Sequence, residues 1–152
     1  MQSKLIISDT SCFITLSNIG ELDILRLLYK QIITTTEIAA EFGENLPDWV
    51  EIIHVSDKAK QELLEMQVDK GEASAIALAL ESENPFLIID DYKARKLANN
   101  LKIKHTGTIG VIIAAKQKGI ILSIKPILEK IKKTNFRISG DLELQALMQA
   151  NE

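Results

Sequence analysis

Two short apolar runs that each stop at an acid constrain the fold of this chain more than any other feature. Lys4–Ser8 carries Leu5, Ile6 and Ile7 and stops at Asp9, and Phe86–Ile89 is apolar throughout and stops at Asp90-Asp91. A strand without polar alternation is one covered on both faces, as in a parallel sheet. Gln31–Thr34, Val50–Val55 and Lys102–Lys104 read as three further strands. Between and after them run helical patterns: Cys12–Asn18, Glu21–Tyr29, a turn or two carrying Glu37, Ile38, Glu41 and Phe42, then Lys58–Gln67, Glu72–Glu81, Tyr92–Asn100, Ile109–Lys118, Lys125–Lys133 and Asp141–Gln149. Strands alternating with helices predict an α/β fold with a parallel sheet and helices on both faces. Glu72–Glu81 is almost uncharged from Ala73 to Leu80, which predicts a buried helix. No repeat, low-complexity tract or linker interrupts the 152 residues, so one domain over 1–152 is expected.

The composition narrows the chemistry. Apolar residues make up 46% and charged ones 26%, enough to build a core without disulfide or zinc support. The single cysteine, Cys12, reads as a core residue, and His54 and His105 lack a partner at metal-ligand spacing. Any metal held here is held by oxygen, which points to Mg²⁺, Mn²⁺ or Ca²⁺. Met1–Leu5 opens no apolar stretch long enough for a leader, and no run is long enough to span a membrane; a cytoplasmic protein is expected. The net charge of −3 hides an asymmetry: Glu37–Asp91 holds 14 acids and three bases, whereas Lys93–Arg137 holds 12 bases and one acid. Solvated helix faces of opposite sign explain this blandly. The sharper reading is a surface for a phosphate backbone beside an acidic site.

Sites in open α/β sheets form outside the carboxyl ends of the strands. Asp9 and Asp90-Asp91 both fall there, and Glu72 follows Gly71 at a helix start. Each has a plain alternative: Asp9 as a helix cap, Asp90 and Asp91 as a cap and a first-turn acid, Glu72 as a first-turn acid, Glu41 as a solvated helix acid with Glu37 and Glu44 as rivals. Taken together they read differently. Two carboxylates about 5 Å apart repel by roughly 3 kcal/mol at an effective dielectric of 20, so gathering several serves a bound cation rather than stability. Two hard ions in such a cluster activate a water and stabilise the leaving oxygen of a phosphodiester. The spacing alone leaves open whether the acids converge. Neither a nucleotide-cradling Gly-rich loop nor a Ser/His/Asp order is present.

Residues 6–16, Ile-Ile-Ser-Asp-Thr-Ser-Cys-Phe-Ile-Thr-Leu, resemble the opening strand and turn of PIN domains. Gly71-Glu72-Ala73-Ser74-Ala75-Ile76, Leu87-Ile88-Ile89-Asp90-Asp91 with Arg95, and Thr106-Gly107-Thr108-Ile109-Gly110 resemble a prokaryotic PIN branch that is similar to the toxin halves of VapBC-type toxin–antitoxin pairs. The likeness runs from about residue 4 to residue 140. It implies a three-layer α/β/α sandwich with a central parallel sheet, and cleavage of single-stranded RNA by metal-activated water. It implies Asp9, Glu41, Glu72 and Asp91 as the acidic quartet, with Asp90 adjacent. Asp9, Glu72 and Asp91 would be the ligands of Mg²⁺ or Mn²⁺. Many PIN domains carry Asp on the helix where this chain has Glu72, and a Glu reaches farther.

The expected function is a metal-dependent ribonuclease, the toxin of a pair, with RNA and an antitoxin protein as partners, no membrane, and a homodimer as its assembly. Lys93, Arg95 and Lys96, nearest in sequence to Asp91, are the expected RNA contacts. The alternative is a catalytically silent PIN-fold module that binds RNA or protein. A receiver-like signalling domain would need a Lys at a later strand end that this chain does not offer.

Overall fold

A computed structural model describes residues 4–152 of the chain; Met1, Gln2 and Ser3, on which the reading of the N-terminus partly rests, lie outside the described residues. Five parallel strands form one sheet: β1 (Leu5–Ser8), β2 (Ile32–Thr35), β3 (Val50–Ile53), β4 (Pro85–Ile88) and β5 (Lys104–Thr106), in the order β3-β2-β1-β4-β5. The helices are α1 (Thr10–Asn18), α2 (Asp23–Tyr29), α3 (Thr36–Phe42), α4 (Lys58–Leu64), α5 (Lys70–Leu80), α6 (Tyr92–Asn100), α7 (Thr108–Gln117), α8 (Lys125–Lys132) and α9 (Gly140–Gln149). All four residues of β2 are buried, as are Ile6, Ile7 and Ser8 of β1 and Leu87 and Ile88 of β4. Burial of successive residues means both faces of the sheet are covered, and the fold is a three-layer α/β/α sandwich. One group of helices packs around α5, joined by α3, α4 and α6; another packs around α7, joined by α2 and α9; α1 touches both α3 and α7.

α5 earns its central place by composition. From Ala73 to Ala79 every residue is buried, and the small side chains let the helix lie close to β1, β2 and β4.

The register sets up the site. Ser8 lies beside Ile88, and Ile88 beside Thr106, so three strands end level with one another. The chain therefore delivers Asp9, then Ile89-Asp90-Asp91, then Gly107-Thr108, to a single edge.

Several element ends differ from expectation. The last strand runs Lys104–Thr106 rather than Lys102–Lys104, because Lys102 takes a left-handed φ of 61° in the turn that closes α6 and pairing with Phe86 begins at Lys104. Thr106 is thus a strand residue, and Gly107 rather than a Thr hydroxyl stands at the cap of α7. β3 stops at Ile53 and α4 at Leu64, short of Val55 and Gln67. α5 begins at Lys70 with Asp69 as its N-cap, so Glu72 is its third residue.

Candidate active site

Asp9 and Asp90 form the floor of the site. Asp9 is 4% exposed. Its Oδ1 accepts from the Cys12 N–H at 2.9 Å, capping α1, and its Oδ2 accepts from the Asp90 N–H at 2.8 Å. One carboxylate thus pins the end of β1 to the end of β4. Asp90 is pinned in turn: its Oδ1 accepts from the Thr108 N–H at 2.7 Å and its Oδ2 from the Thr108 hydroxyl at 2.6 Å. Gly107 is needed beside this bond, since a Cβ there would lie 2.9 Å from Asp90 Oδ1 and 3.1 Å from Arg95 Nη1. Burial first, then the nearby Asp90 charge and more weakly Glu72, push the Asp9 carboxyl well above its ordinary range against its two backbone donors.

Glu41, Glu72, Asp69 and Asp91 form the rim. Glu41 Oε1 accepts from the Thr10 hydroxyl, and the carboxylate lies against Gly71, where a Cβ would sit 2.9 Å from Oε1. Glu37, the rival, turns away: its Oε2 accepts from Lys58 Nζ at 3.0 Å and Gln61 Nε2 at 2.6 Å, and these bonds with the Thr36 hydroxyl hold it at about 2 despite partial burial. Glu72, half-buried, is pushed up by burial first and then by the charges of Asp69, Asp91 and Glu41. Asp91 is exposed; its Oδ2 accepts from the Ala94 N–H at 3.0 Å and caps α6. A relay of buried hydroxyls fixes the rim helices. The Ser74 hydroxyl donates to Gly71 O at 2.7 Å and bonds Thr35 Oγ1 at 2.6 Å, and Thr35 Oγ1 also accepts from the Ile38 N–H.

Asp9, Glu41, Glu72, Asp90 and Asp91 line one cleft of about 450 Å³, together with Thr10, Ile14 and Asp69. All five acids expected from the sequence are therefore brought together. Asp69, Thr10, Thr108, Thr35 and Ser74 join the site without having been singled out by the spacing of the sequence. Only the placement of Thr10 after Asp9, and of Thr108 in a segment opening a helix, pointed to them. The basic residues part company. Lys93, Arg95 and Lys96 are all exposed on α6, but only Arg95 turns back toward Asp90, over Gly107; Lys93 and Lys96 line neither this cleft nor the groove next to it.

The donors are all hard oxygens, which suits Mg²⁺ or Mn²⁺ rather than zinc. Among the described residues no three acidic, His or Cys side chains stand ready to grip one ion as they lie. Each oxygen of Asp9 and of Asp90 already accepts one hydrogen bond, which fixes these two carboxylates in place and leaves each oxygen a second lone pair. The residues fit a divalent cation by chemistry; of the three expected ligands, Asp9 lies on the floor of the cleft and Glu72 and Asp91 on its rim.

The fold and site define an α/β/α sandwich with an acidic cleft at the carboxyl edge of its sheet. A family model described as a PIN domain matches residues 5–152. The chain belongs to the PIN-domain family, and its fold is of nuclease type. No curated protein matches the sequence. Among the described residues no helix is long and apolar enough to cross a membrane.

Proposed function

We propose that the chain is a Mg²⁺- or Mn²⁺-dependent ribonuclease that cuts single-stranded RNA. The convergence of Asp9, Glu41, Glu72, Asp90 and Asp91 on one cleft carries this reading. Asp91, Glu72 and Glu41 would hold the cation, with Asp9 and Asp90 beneath them. A bound cation would supply a water acidic enough to attack at neutral pH and would offset charge growing on the phosphate. The protein's own part is positional. Asp9 and Thr108 keep the strand ends in register, the Thr35–Ser74 relay sets the distance between α3 and α5, and Thr10 orients Glu41. Exposed Leu142, Leu144 and Met148 on α9 suit a protein partner, an antitoxin or a second copy of the chain.

One observation favours the silent RNA- or protein-binding module instead. The two most central acids, Asp9 and Asp90, have complete structural roles as caps and straps, which a non-catalytic fold would also need. Cleavage of an unstructured RNA with Mg²⁺ or Mn²⁺, against a chelator and against Asp91→Asn, separates the two. The ribonuclease reading expects cleavage in the first arm alone. Absence of cleavage with either metal, in protein that still binds the RNA, favours the module.

A further inference from the structure

A second groove opens from the acidic cleft across Asp90, whose side chain lines both. It holds about 340 Å³ and runs between the start of α7 and the face of α9, with Arg95 at one end and Phe136-Arg137 at the other. Gln145 and Gln149 of α9 line its far wall. Beyond Arg137 the depression continues over Lys132, Asn135 and Ser139. Among the described residues neither Arg95 nor Arg137 makes a salt bridge, whereas Lys132, Lys116 and Lys130 are all paired with acids. An unpaired guanidinium at each end, a half-buried aromatic ring and two side-chain amides form a chemically specific set. Guanidinium forks take phosphates, aromatic faces take unstacked bases, and amides read base edges. Lys93 and Lys96 offer charge alone, on a surface that neither depression reaches.

We propose that this groove is a nucleotide subsite: single-stranded RNA leaving the acidic cleft runs past Asp90 into it, with phosphates on Arg95 and Arg137 and a base against Phe136. The inference rests on the ribonuclease reading and gives its substrate a direction. Asp90 lies at the junction, bonded to Thr108, so the strand end that lines the cleft also lines the groove. The ring, the amides and this continuity select RNA over an acidic peptide, which would profit from the arginines alone.

The test is binding of a labelled oligouridylate of about 12 nucleotides, a length that fills a typical single-strand site, measured by anisotropy over a range of salt without divalent metal. Arg137→Gln should flatten the salt dependence by about 0.7 log units per decade, the value of one single-strand phosphate contact. Phe136→Leu, which keeps the apolar filling, should weaken binding about fivefold or more, the lower end of what base stacking contributes. Arg137 is exposed, so Arg137→Gln reads out even where Phe136→Leu disturbs packing. Wild-type affinity and slope in both variants, with loss on Lys93→Gln and Lys96→Gln, overturns the groove and leaves the ribonuclease reading standing. A wild-type protein that neither binds nor cuts the RNA overturns both. Displacement of the RNA by polyglutamate at equal charge also overturns the nucleotide subsite.

Discussion

Asp9 and Asp91 do the same local job in opposite settings. Each follows a central strand of the sheet, each caps the next helix, and each accepts from the backbone N–H three residues on. Asp9 is buried and spends its second oxygen on the Asp90 N–H; Asp91 is exposed and faces the cleft. The difference lies in the register. Ser8 pairs with Ile88, so the residue after β1 meets the β4 chain at once, while Asp91 comes three residues past the end of β4, where the chain has left the sheet. The floor of this site is thus held on both oxygens of each carboxylate, whereas Glu41 and Asp91 on the rim are each held on one.

The largest effect that tests this division is on cleavage. Asp91→Asn keeps a good cap and removes a rim charge, and should lower the cleavage rate about 100-fold or more, beyond the usual loss for a merely supporting group. Its melting temperature should stay within about 2 °C of wild type, since surface changes usually stay within ~0.5 kcal/mol. An Asp91→Asn protein that cuts normally would move the chemistry to the floor.

Asp9→Asn should act on stability first. An amide has one acceptor where the carboxylate serves two buried N–H groups, so one donor is left facing an NH₂. That costs about 1–3 kcal/mol and should lower the melting temperature by roughly 2–12 °C, read by circular dichroism. Relief of repulsion alone, as expected from charge clustering in the sequence, would raise it instead. A rise would mean that electrostatics outweighs the strap.

Thr108→Val removes the hydroxyl from Asp90 Oδ2 and keeps the backbone bond to Oδ1. It should cost about 1 kcal/mol and about 2–4 °C. An unchanged melting curve would show that Asp90 is held by the backbone bond alone.

The pH profile of metal-free stability separates the acids of the cleft from those bonded outside it by sign. Asp9 and Glu72 are raised in the fold, so their protonated forms are favoured there and stability should grow as the pH falls from neutral toward about 4. Glu37 and Glu152 are held at about 2, so their contribution is present at neutral pH and is lost below about 4.5. Thermal melts across pH 4–8 should therefore peak in mild acid. A monotonic fall from pH 7 downward would mean that burial and mutual repulsion do not raise the acids of the cleft.

The parallel strands, the layers and four of the acids were legible because each rests on a local pattern: continuous apolar strands, an Ala-rich helix, and acids placed just past strand ends or at a helix start; Glu41, near the end of α3, came only with the resemblance. Glu41 over Glu37 was not decidable from spacing, because Lys58 and Gln61, which hold Glu37, come from a distant helix. Nor was the separation of Asp90 from Asp91, which depends on Thr108 reaching across from α7. The basic stretch misled in part. Lys93 and Arg95 are two apart on a helix and face different ways, so nearness in sequence to Asp91 did not translate into nearness to the cleft.

The central claim, that the rim is built to hold a divalent cation, is tested most directly by melting curves of wild type and Asp91→Asn in Mg²⁺ and Mn²⁺ titrations. With a dissociation constant of about 1 mM, about 10 mM Mg²⁺ stabilises the fold by roughly 1.4 kcal/mol. The wild type should then melt about 3–5 °C higher, with Mn²⁺ acting at lower concentration and Asp91→Asn losing most of the shift. Curves that do not move with either ion, or an Asp91→Asn protein that shifts as much as wild type, would contradict it.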